Sequence, residues 1–180
     1  MHVLVFGASN SKNSINAKLA RYAAERFKAN FVTDARLEFL DLNDFEMPIY
    51  SIDREKETGI PQAAQDFYAK IGAADALIIS YAEYNGLYTS AWKNIFDWMS
   101  RIKQSIFQDK PMVILAATPG GRGGKGVLQT AQGGAPYFGA DIKGVHGVGK
   151  WPSAYDDENN TLVNQDDITA IDAALAALVP

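Results

Sequence analysis

Short apolar runs alternate along the chain with stretches whose apolar residues recur every three or four positions. Three runs are uninterrupted, at 3–6, 76–79 and 112–116, whereas those at 37–40 and 142–146 contain charged residues or glycine. Runs of this length between polar segments are typical of strands, and spacings of three and four are typical of amphipathic helices. Their alternation predicts βαβ units and a parallel sheet.

The helical spacing is clearest in three segments, at 15–27, 92–102 and 168–178. The first two each follow an uninterrupted apolar run and a polar loop, which is the order expected of a strand, a connection and a covering helix. Asp166 or Asp167 stands where the N-terminal cap of the last helix is expected.

The character of the apolar runs predicts the order of the strands. Continuous runs suit central strands that are covered on both faces, whereas the runs interrupted by Glu38 and by Lys143-Gly144 suit the edges. A five-stranded doubly wound sheet in the order 2-1-3-4-5 places these two at its edges. We therefore expect one flavodoxin-like α/β domain over residues 1–180, with the charged stretch 53–59 as a solvated loop.

Composition excludes several kinds of chemistry. The chain has 180 residues with no cysteine, so thiol nucleophiles, disulfides and zinc–thiolate sites are excluded. His2 and His146 are its two histidines, which leaves little for a metal site or a catalytic triad, and we assign no metal ligand. The net charge of −4 is unlike that of a nucleic-acid-binding protein.

No apolar run approaches the roughly 20 residues that span a bilayer, and residues 1–7 lack the basic region of a signal peptide. We expect a cytoplasmic protein with no nucleic-acid or membrane partner.

Ligands of open α/β sheets bind outside the carboxyl ends of the strands, where the strand order switches. The loop after the first strand, residues 7–16, has serine or asparagine at six of the eight positions from Ser9 to Asn16. Hydroxyls and the N–H groups of a helix N-terminus bind phosphate. The loop lacks the motifs of a Walker A or dinucleotide site, which leaves a mononucleotide. Helix capping by Ser14 or Asn13 explains one or two of these residues, so we favour a phosphate site.

The loop after the third strand, residues 81–88, carries three tyrosines and the dipeptide Asn85-Gly86. The dipeptide signals a turn, but the return of the chain into a helix excludes a hairpin. Aromatic side chains and exposed amides suit the wall and edge of a flat heteroaromatic ring. Partly buried tyrosines without a ligand explain this loop, taken alone, equally well.

The loop after the fourth strand follows Thr118 and contains five glycines within residues 120–126. Glycines allow a backbone to approach a ligand closely with its amides exposed. A mobile surface loop is the alternative for this segment by itself. Three unusual loops at one edge of the sheet favour a ligand site over three unrelated loops.

Several short motifs have a familiar spacing. They are Glu83-Tyr84-Asn85-Gly86, Lys93-Asn94 with Asp97-Trp98, Ser11 with Ser14 and Asn16, Met47-Pro48-Ile49-Tyr50, and Pro119-Gly120-Gly121. In these motifs the chain resembles the NAD(P)H-dependent FMN reductase family, which includes quinone, azo-dye and chromate reductases. It departs from the family at Ala82, where proline is usual, and at Thr89-Ser90, where Pro-Gly is common.

The resemblance implies FMN as the cofactor, with NADPH or NADH as electron donor, and the three loops suit a flavin mononucleotide. The residues expected to bind the cofactor fall into three groups. They are Ser9, Ser11, Ser14, Ile15 and Asn16 at the phosphate, Glu83, Tyr84, Asn85 and Gly86 at the ring and ribityl chain, and Thr118, Gly120 and Gly121 at the pyrimidine edge. Because the flavin would carry the redox chemistry, no side chain is assigned as a catalytic acid or base.

The resemblance also implies a ping-pong reaction in which NAD(P)H leaves before a small-molecule acceptor enters. The acceptor would be free flavin, a quinone, an azo compound or an oxyanion metal, and Arg122 would meet an NADPH phosphate or remain solvated. Family members form dimers beside the flavin, so a homodimer or homotetramer is expected. Tyr50 would then cover a neighbouring site, and Tyr88, Trp92 and Ile95 would form the dimer face unless they are core. The alternatives are a flavodoxin-type electron carrier and a flavin-free scaffold.

Overall fold

The computed structural model describes residues 1–179. In chain order its elements are β1 (His2–Ala8), α1 (Ile15–Asn30), β2 (Arg36–Leu40), α2 (Ile52–Thr58), α3 (Gln62–Ala73), β3 (Ala76–Tyr81), β4 (Glu83–Tyr84), β5 (Leu87–Tyr88), α4 (Ser90–Ile102), β6 (Lys110–Ala117), α5 (Lys125–Gly134), β7 (Ala140–Val148), α6 (Trp151–Ala154), β8 (Tyr155–Asp156), β9 (Thr161–Leu162) and α7 (Gln165–Ala176). Short 3₁₀ turns follow β2 and α5, at Leu42–Phe45 and Ala135–Phe138.

The central sheet has the order β2-β1-β3-β6-β7, with every pair of neighbours parallel. Counted along the sheet-forming strands this is 2-1-3-4-5, so the predicted flavodoxin-like order is confirmed. The continuous apolar run of β3 lies at the centre and is buried along its whole length. The interrupted runs of β2 and β7 form the edges, as their charged residues required.

Two apolar layers cover the sheet. Val3 and Val5 of β1 point toward α1 and α7, whereas Leu4 and Phe6 point to the face covered by α3, α4 and α5. Successive residues of a strand point to opposite faces, so a continuous apolar run feeds both layers. The layers hold the parallel strands rigidly, and the carboxyl ends of β1, β3 and β6 meet at one edge.

Three local expectations were wrong. The loop after β3 does form a hairpin, because two-residue strands β4 and β5 pair antiparallel before α4 begins. The charged stretch 53–59 is mostly the helix α2, capped by the Ser51 hydroxyl, which accepts from the Arg54 N–H at 3.2 Å. Asn164, and neither Asp166 nor Asp167, caps α7 by accepting from the Asp166 N–H at 2.8 Å. Within residues 1–179 no helix has the length and apolarity needed to cross a bilayer.

Candidate functional site

The loops after β1, β3 and β6 enclose a cavity of about 200 Å³ at the carboxyl edge of the sheet. It is lined by Ser9, Ser11, Asn13, Ser14, Ile15, Asn16, Ala82, Glu83, Tyr84, Ala117, Thr118 and Pro119. The structure therefore brings together eight of the twelve residues expected to bind a cofactor. The other four, Asn85, Gly86, Gly120 and Gly121, lie on the same loops after β3 and β6 but outside this lining.

The loop after β1 is organised by its own serines. The Ser9 hydroxyl accepts from the Ser11 N–H at 3.1 Å, and the Ser14 hydroxyl caps α1 by accepting from the Ala17 N–H at 3.2 Å. The N–H groups of Ile15 and Asn16 belong to the first helical turn, where no intrahelical acceptor exists. They lie at the positive end of the helix dipole and are suited to an oxyanion. Capping and anion binding are therefore compatible functions of one loop.

Gly7 lets this loop lie against its helix. A Cβ atom at Gly7 would come within 2.4 Å of the Ala17 nitrogen and 2.8 Å of the Asn16 carbonyl carbon. Both atoms belong to the backbone of the first turn of α1, so they have little freedom to move away. Glycine at this position holds the N-terminus of α1 close to the end of β1, where an anion would bind.

Asn16 has a different position from the one its motif suggested. Its side chain is almost completely buried, and its carboxamide hydrogen-bonds both backbone groups of Ala117 as well as the Ser80 hydroxyl. These contacts occupy the carboxamide in linking α1 to β3 and β6. The backbone N–H, rather than the side chain, is the part of Asn16 available to a phosphate.

The loop after β3 is a hairpin with a two-residue turn. Asn85 and Gly86 both have positive φ, 54° and 83°, as a type I′ turn requires. The turn displays Tyr84, whose side chain is 50% exposed, at the rim of the cavity. Tyr81 is instead wholly buried, and its ring packs 5.2 Å from that of Tyr88. Burial raises the pKa of Tyr88 to about 12 and also raises the pKa of the Tyr81 phenol.

The loop after β6 is held by a segment that the sequence did not reveal. We call residues 147–151 the strap. The Lys150 N–H donates to the Gly120 carbonyl at 2.8 Å, and the Trp151 N–H donates to the Thr118 carbonyl at 3.1 Å. The Thr118 hydroxyl also donates to the Gly120 carbonyl at 3.0 Å. The strap fixes residues 118–121 against the end of β7.

Close backbone packing makes the strap possible. A Cβ at Gly147 would lie 2.0 Å from the Gly123 carbonyl oxygen, and a Cβ at Gly149 would lie 2.9 Å from that of Gly121. Neither backbone oxygen can move away without distorting the chain around it. The two glycines are the local sequence signal of the strap, but by themselves they do not identify its partner.

Two of the quoted motifs contact each other. The Asn94 side chain accepts from the Tyr50 N–H at 2.8 Å and donates to the Met47 carbonyl at 3.1 Å, while the Trp98 indole donates to the Pro48 carbonyl at 2.7 Å. These hydrogen bonds hold residues 47–50 against α4 and leave Ile49 75% exposed. Asn94 and Trp98 therefore fix the conformation of the surface segment beside the candidate site.

Thr89-Ser90 is the departure from the family's Pro-Gly pattern, and Thr89 has a specific role in this chain. The Thr89 hydroxyl donates to the Ala8 carbonyl at 3.0 Å and accepts from the Trp92 N–H at 3.2 Å. It caps α4 and ties the start of that helix to the carboxyl end of β1. A cyclic residue at this position would lack the hydroxyl and both contacts.

A larger depression of about 580 Å³ lies along α1 and the ends of β2 and β9. It shares Asn13 and Ser14 with the smaller cavity, but most of the rest of its lining comes from α1, β1, β2 and residues 155–161 rather than from the loops after β3 and β6. Size alone therefore does not identify the functional site. The convergence of three strand ends and of helix N–H donors favours the smaller cavity.

The fold defines a flavodoxin-like α/β protein, and the cavity at this edge of its sheet is suited to a phosphate-bearing ligand. The sequence profile of the family described as NADPH-dependent FMN reductase matches residues 1–142. The chain belongs to this family, which confirms the resemblance seen in its motifs and places it among oxidoreductase enzymes. The matched region includes all three loops and ends before the strap.

Named relatives agree with this assignment. The chain is 28% identical to a quinone reductase of Escherichia coli over 69% of its length, and the match spans 63% of that enzyme. It is 37% identical to an NAD(P)H-dependent FMN reductase of Pseudomonas aeruginosa, over 47% of this chain and 44% of the relative.

Solved structures share the fold over nearly the whole chain. The flavoenzyme NAD(P)H:(acceptor) oxidoreductase FerB of Paracoccus denitrificans superposes with a TM-score of 0.77 at 21% identity, covering 99% of this chain and 94% of that one. An FMN-dependent NADH-azoreductase of Bacillus anthracis, solved in complex with FMN, gives a TM-score of 0.67 at 13% identity and covers both chains fully.

Proposed function

We propose that this protein binds FMN at the three loops and catalyses electron transfer from NADPH or NADH to a small-molecule acceptor. The observation that carries the proposal is the start of α1, where the N–H groups of Ile15 and Asn16 face the serine-rich loop. Family membership supplies the identity of the ligand that such a phosphate site would hold.

The residues present fit the cofactor. The hydroxyls of Ser9, Ser11 and Ser14 and the helix N–H groups provide neutral donors for a terminal phosphate, and Gly7 leaves room for the close approach of α1. A cavity of about 200 Å³ is smaller than a typical ligand pocket, so it would enclose the phosphate end. The isoalloxazine ring would lie toward the rim, near Tyr84 and the Gly120–Gly121 backbone.

Bound FMN would supply the chemistry of hydride acceptance and electron transfer. On this proposal the protein binds FMN, orients its ring and shields it from water. No side chain acts as a catalytic acid or base. Asn85 and Gly86 would fix the hairpin along the ring, and the strap would hold the amides of residues 120–121 at its pyrimidine edge. NAD(P)H would leave before the acceptor binds in the same space, which gives ping-pong kinetics.

The names of the relatives support part of the proposed acceptor class. One is named a quinone reductase and another, from a Bacillus strain, is named an NADPH azoreductase and is 28% identical over 72% of this chain. We propose quinones, azo compounds, free flavin and oxyanion metals as the candidate acceptors. A flat acceptor would stack on the exposed face of the flavin beside Tyr84.

We also propose a homodimer or homotetramer, but with a different contact face from the one first expected. Trp92 and Ile95 are buried in the core, so they do not form the dimer face. Ile49, on the segment that Asn94 and Trp98 hold, and Ile52, at the start of α2, are exposed and give the new candidate face. Sedimentation of the wild type and of Ile49→Ser would test it. A cytoplasmic location stays a prediction, which cell fractionation would test.

The central experiment is an FMN titration of the purified protein followed by anaerobic addition of NADPH or NADH. We expect quenching of FMN fluorescence at micromolar or lower concentration, bleaching of the flavin by the donor, and steady-state turnover with a benzoquinone. Binding without turnover would instead identify an electron carrier. A colourless protein that binds neither FMN nor FAD and supports no NAD(P)H oxidation would identify a flavin-free scaffold.

A further inference from the structure

The helix α5, directly after the glycine-rich loop, begins without a capping side chain of its own. Its N-cap residue is Gly124, with a left-handed φ of 68°. A Cβ there would lie 2.4 Å from the Cβ of Ala116, so the position has room for neither serine nor aspartate. Helices normally satisfy an early N–H with an N-cap oxygen, and α5 must obtain that oxygen elsewhere.

Glu83 supplies the missing oxygen. Its Oε1 atom accepts a hydrogen bond from the Val127 N–H at 3.0 Å, across 44 residues of sequence. Val127 is the third residue of α5, the position that an N-cap side chain ordinarily serves. The carboxylate also lies at the positive end of the helix dipole, where a negative charge is stabilising.

Gly126 brings the hairpin and the helix together. A Cβ at this position would lie 2.6 Å from Oε1 of Glu83 and 2.8 Å from the Gly86 carbonyl oxygen. The turn of the hairpin thus rests on the first turn of α5 with no room for a side chain between them. We call the contact of Glu83 and Gly86 with residues 126–127 the joint.

We propose that Glu83 is a positioning residue, which acts through the Val127 amide to hold the aromatic hairpin and the glycine-rich loop as one rigid wall of the site. The proposal rests on the proposed function for its consequence, because the wall would support the flavin ring. It assigns Glu83 a role different from the cofactor contact expected from its motif. Tyr84 and Asn85 would then contact the ring, while Glu83 anchors the strand that presents them.

Hydrogen exchange of the protein without added flavin tests the joint directly. Glu83→Ala should speed amide exchange of Val127 and of hairpin residues 84–88 about tenfold, because the hairpin loses its anchor. Glu83→Gln should exchange much more slowly than Glu83→Ala, since the Gln Oε1 atom can still accept from Val127. Glu57→Ala, on the exposed surface of α2, removes a carboxylate without touching the joint and should leave these amides unchanged.

FMN affinity and the flavin midpoint potential test the consequence. Glu83→Ala and Gly126→Ala should each raise the FMN dissociation constant about tenfold. The double variant should bind no more weakly than the worse single one, because both changes break one contact. Glu83→Gln should retain most of the affinity and the wild-type midpoint potential. Gly133→Ala, in the last turns of α5 with no atom within 4 Å of the added carbon, is the matched glycine control.

Additive losses in the double variant, or a shifted midpoint potential in Glu83→Gln, would show direct contact with the flavin and overturn the proposal. Unchanged exchange in Glu83→Ala would overturn it as well. Failure of the wild type to bind FMN would instead refute the proposed function, while the exchange measurements would still decide whether Glu83 holds the joint.

Discussion

The carboxamide of Asn16 hydrogen-bonds both backbone groups of Ala117, accepting from its N–H at 2.7 Å and donating to its carbonyl at 3.0 Å. The same Oδ1 atom accepts from the Ser80 hydroxyl at 2.7 Å. One side chain thereby joins the start of α1 to the ends of β3 and β6, beneath the three loops. The floor of the candidate site is therefore held by hydrogen bonds that join three elements.

Replacing Asn16 by alanine should destabilise the fold by roughly 3 kcal/mol, because buried backbone groups of Ala117 lose their partners. Urea unfolding monitored by tryptophan fluorescence measures this difference. Asn30→Ala, at the exposed end of the same helix, should change the free energy of unfolding by less than about 0.5 kcal/mol. Equal effects of the two substitutions would contradict the role given to Asn16.

Ser14 caps α1 and is also proposed to bind FMN, and a second helix cap separates the two roles. Ser14→Ala and Asn164→Ala should each cost about 1 kcal/mol of stability, since each removes an N-cap hydrogen bond. Only Ser14→Ala should weaken FMN binding, by about tenfold, because Asn164 caps α7 away from the cavity lining. Thermal melts and FMN titrations of both proteins give the comparison. Unchanged FMN affinity in Ser14→Ala would remove Ser14 from the site.

Two substitutions of Asn85 distinguish the effect of its left-handed backbone conformation from that of a contact between its side chain and FMN. Asn85→Gly keeps the left-handed backbone and deletes the carboxamide, whereas Asn85→Ala also strains a turn whose φ is 54°. We expect Asn85→Gly to bind FMN about tenfold more weakly and Asn85→Ala more weakly still, by a further factor that reflects roughly 1 kcal/mol of strain. Wild-type affinity in Asn85→Gly would show that the side chain makes no contact with the cofactor.

The strap predicts opposite outcomes for two glycines. Gly149→Ala would force its Cβ against the Gly121 carbonyl, so we expect a loss of about 1–3 kcal/mol in stability and weaker FMN binding. Gly133→Ala lies in open space within α5 and should stabilise the protein by about 0.5–1 kcal/mol through helix propensity. Chemical denaturation of both variants measures whether the free energy of unfolding falls for Gly149→Ala and rises for Gly133→Ala. A neutral Gly149→Ala would show that loop 118–121 does not depend on the strap.

Glu38 on β2 makes stability depend on acid pH. Its hydrogen bond with Lys70, at 2.7 Å, and then its contact with His2 hold the pKa of the carboxyl below its ordinary value of 4.5. A depressed folded pKa contributes stability that is complete above the unfolded value and is lost as the pH falls through the folded value. The stability difference between wild type and Glu38→Gln, about 1 kcal/mol or less at pH 7, should therefore shrink below about pH 4.5. A difference that stays constant down to pH 2 would contradict this assignment.

The pattern of apolar and charged positions was sufficient to predict the sheet order, because Glu38 and Lys143 cannot occupy a strand that is buried on both faces. The sequence pattern did not predict the helix α3, although Ala64, Phe67 and Ile71 have helical spacing. Its other positions mix polar and apolar residues, which obscures the apolar face. The helix α5 was hidden by its glycines, which lower helix propensity.

The convergence of the three loops at one edge of the sheet could be predicted from the sequence, but the contacts of individual side chains within them could not. Sequence alone does not show that the Asn16 carboxamide is used by Ala117, or that Glu83 faces a helix 44 residues later. Both contacts depend on three-dimensional proximity that no local pattern encodes. The strap was missed for the same reason, because its hydrogen bonds join backbone groups and carry no side-chain signature.

The strap contributes to the geometry of the candidate site although it contains none of the family motifs. Residues 147–151 lie beyond the matched region, yet they set the position of the backbone amides at residues 120–121. The shared motifs alone therefore do not determine how this chain presents those amides. A substitution within residues 147–151 would change the edge of the candidate site while leaving every quoted motif intact.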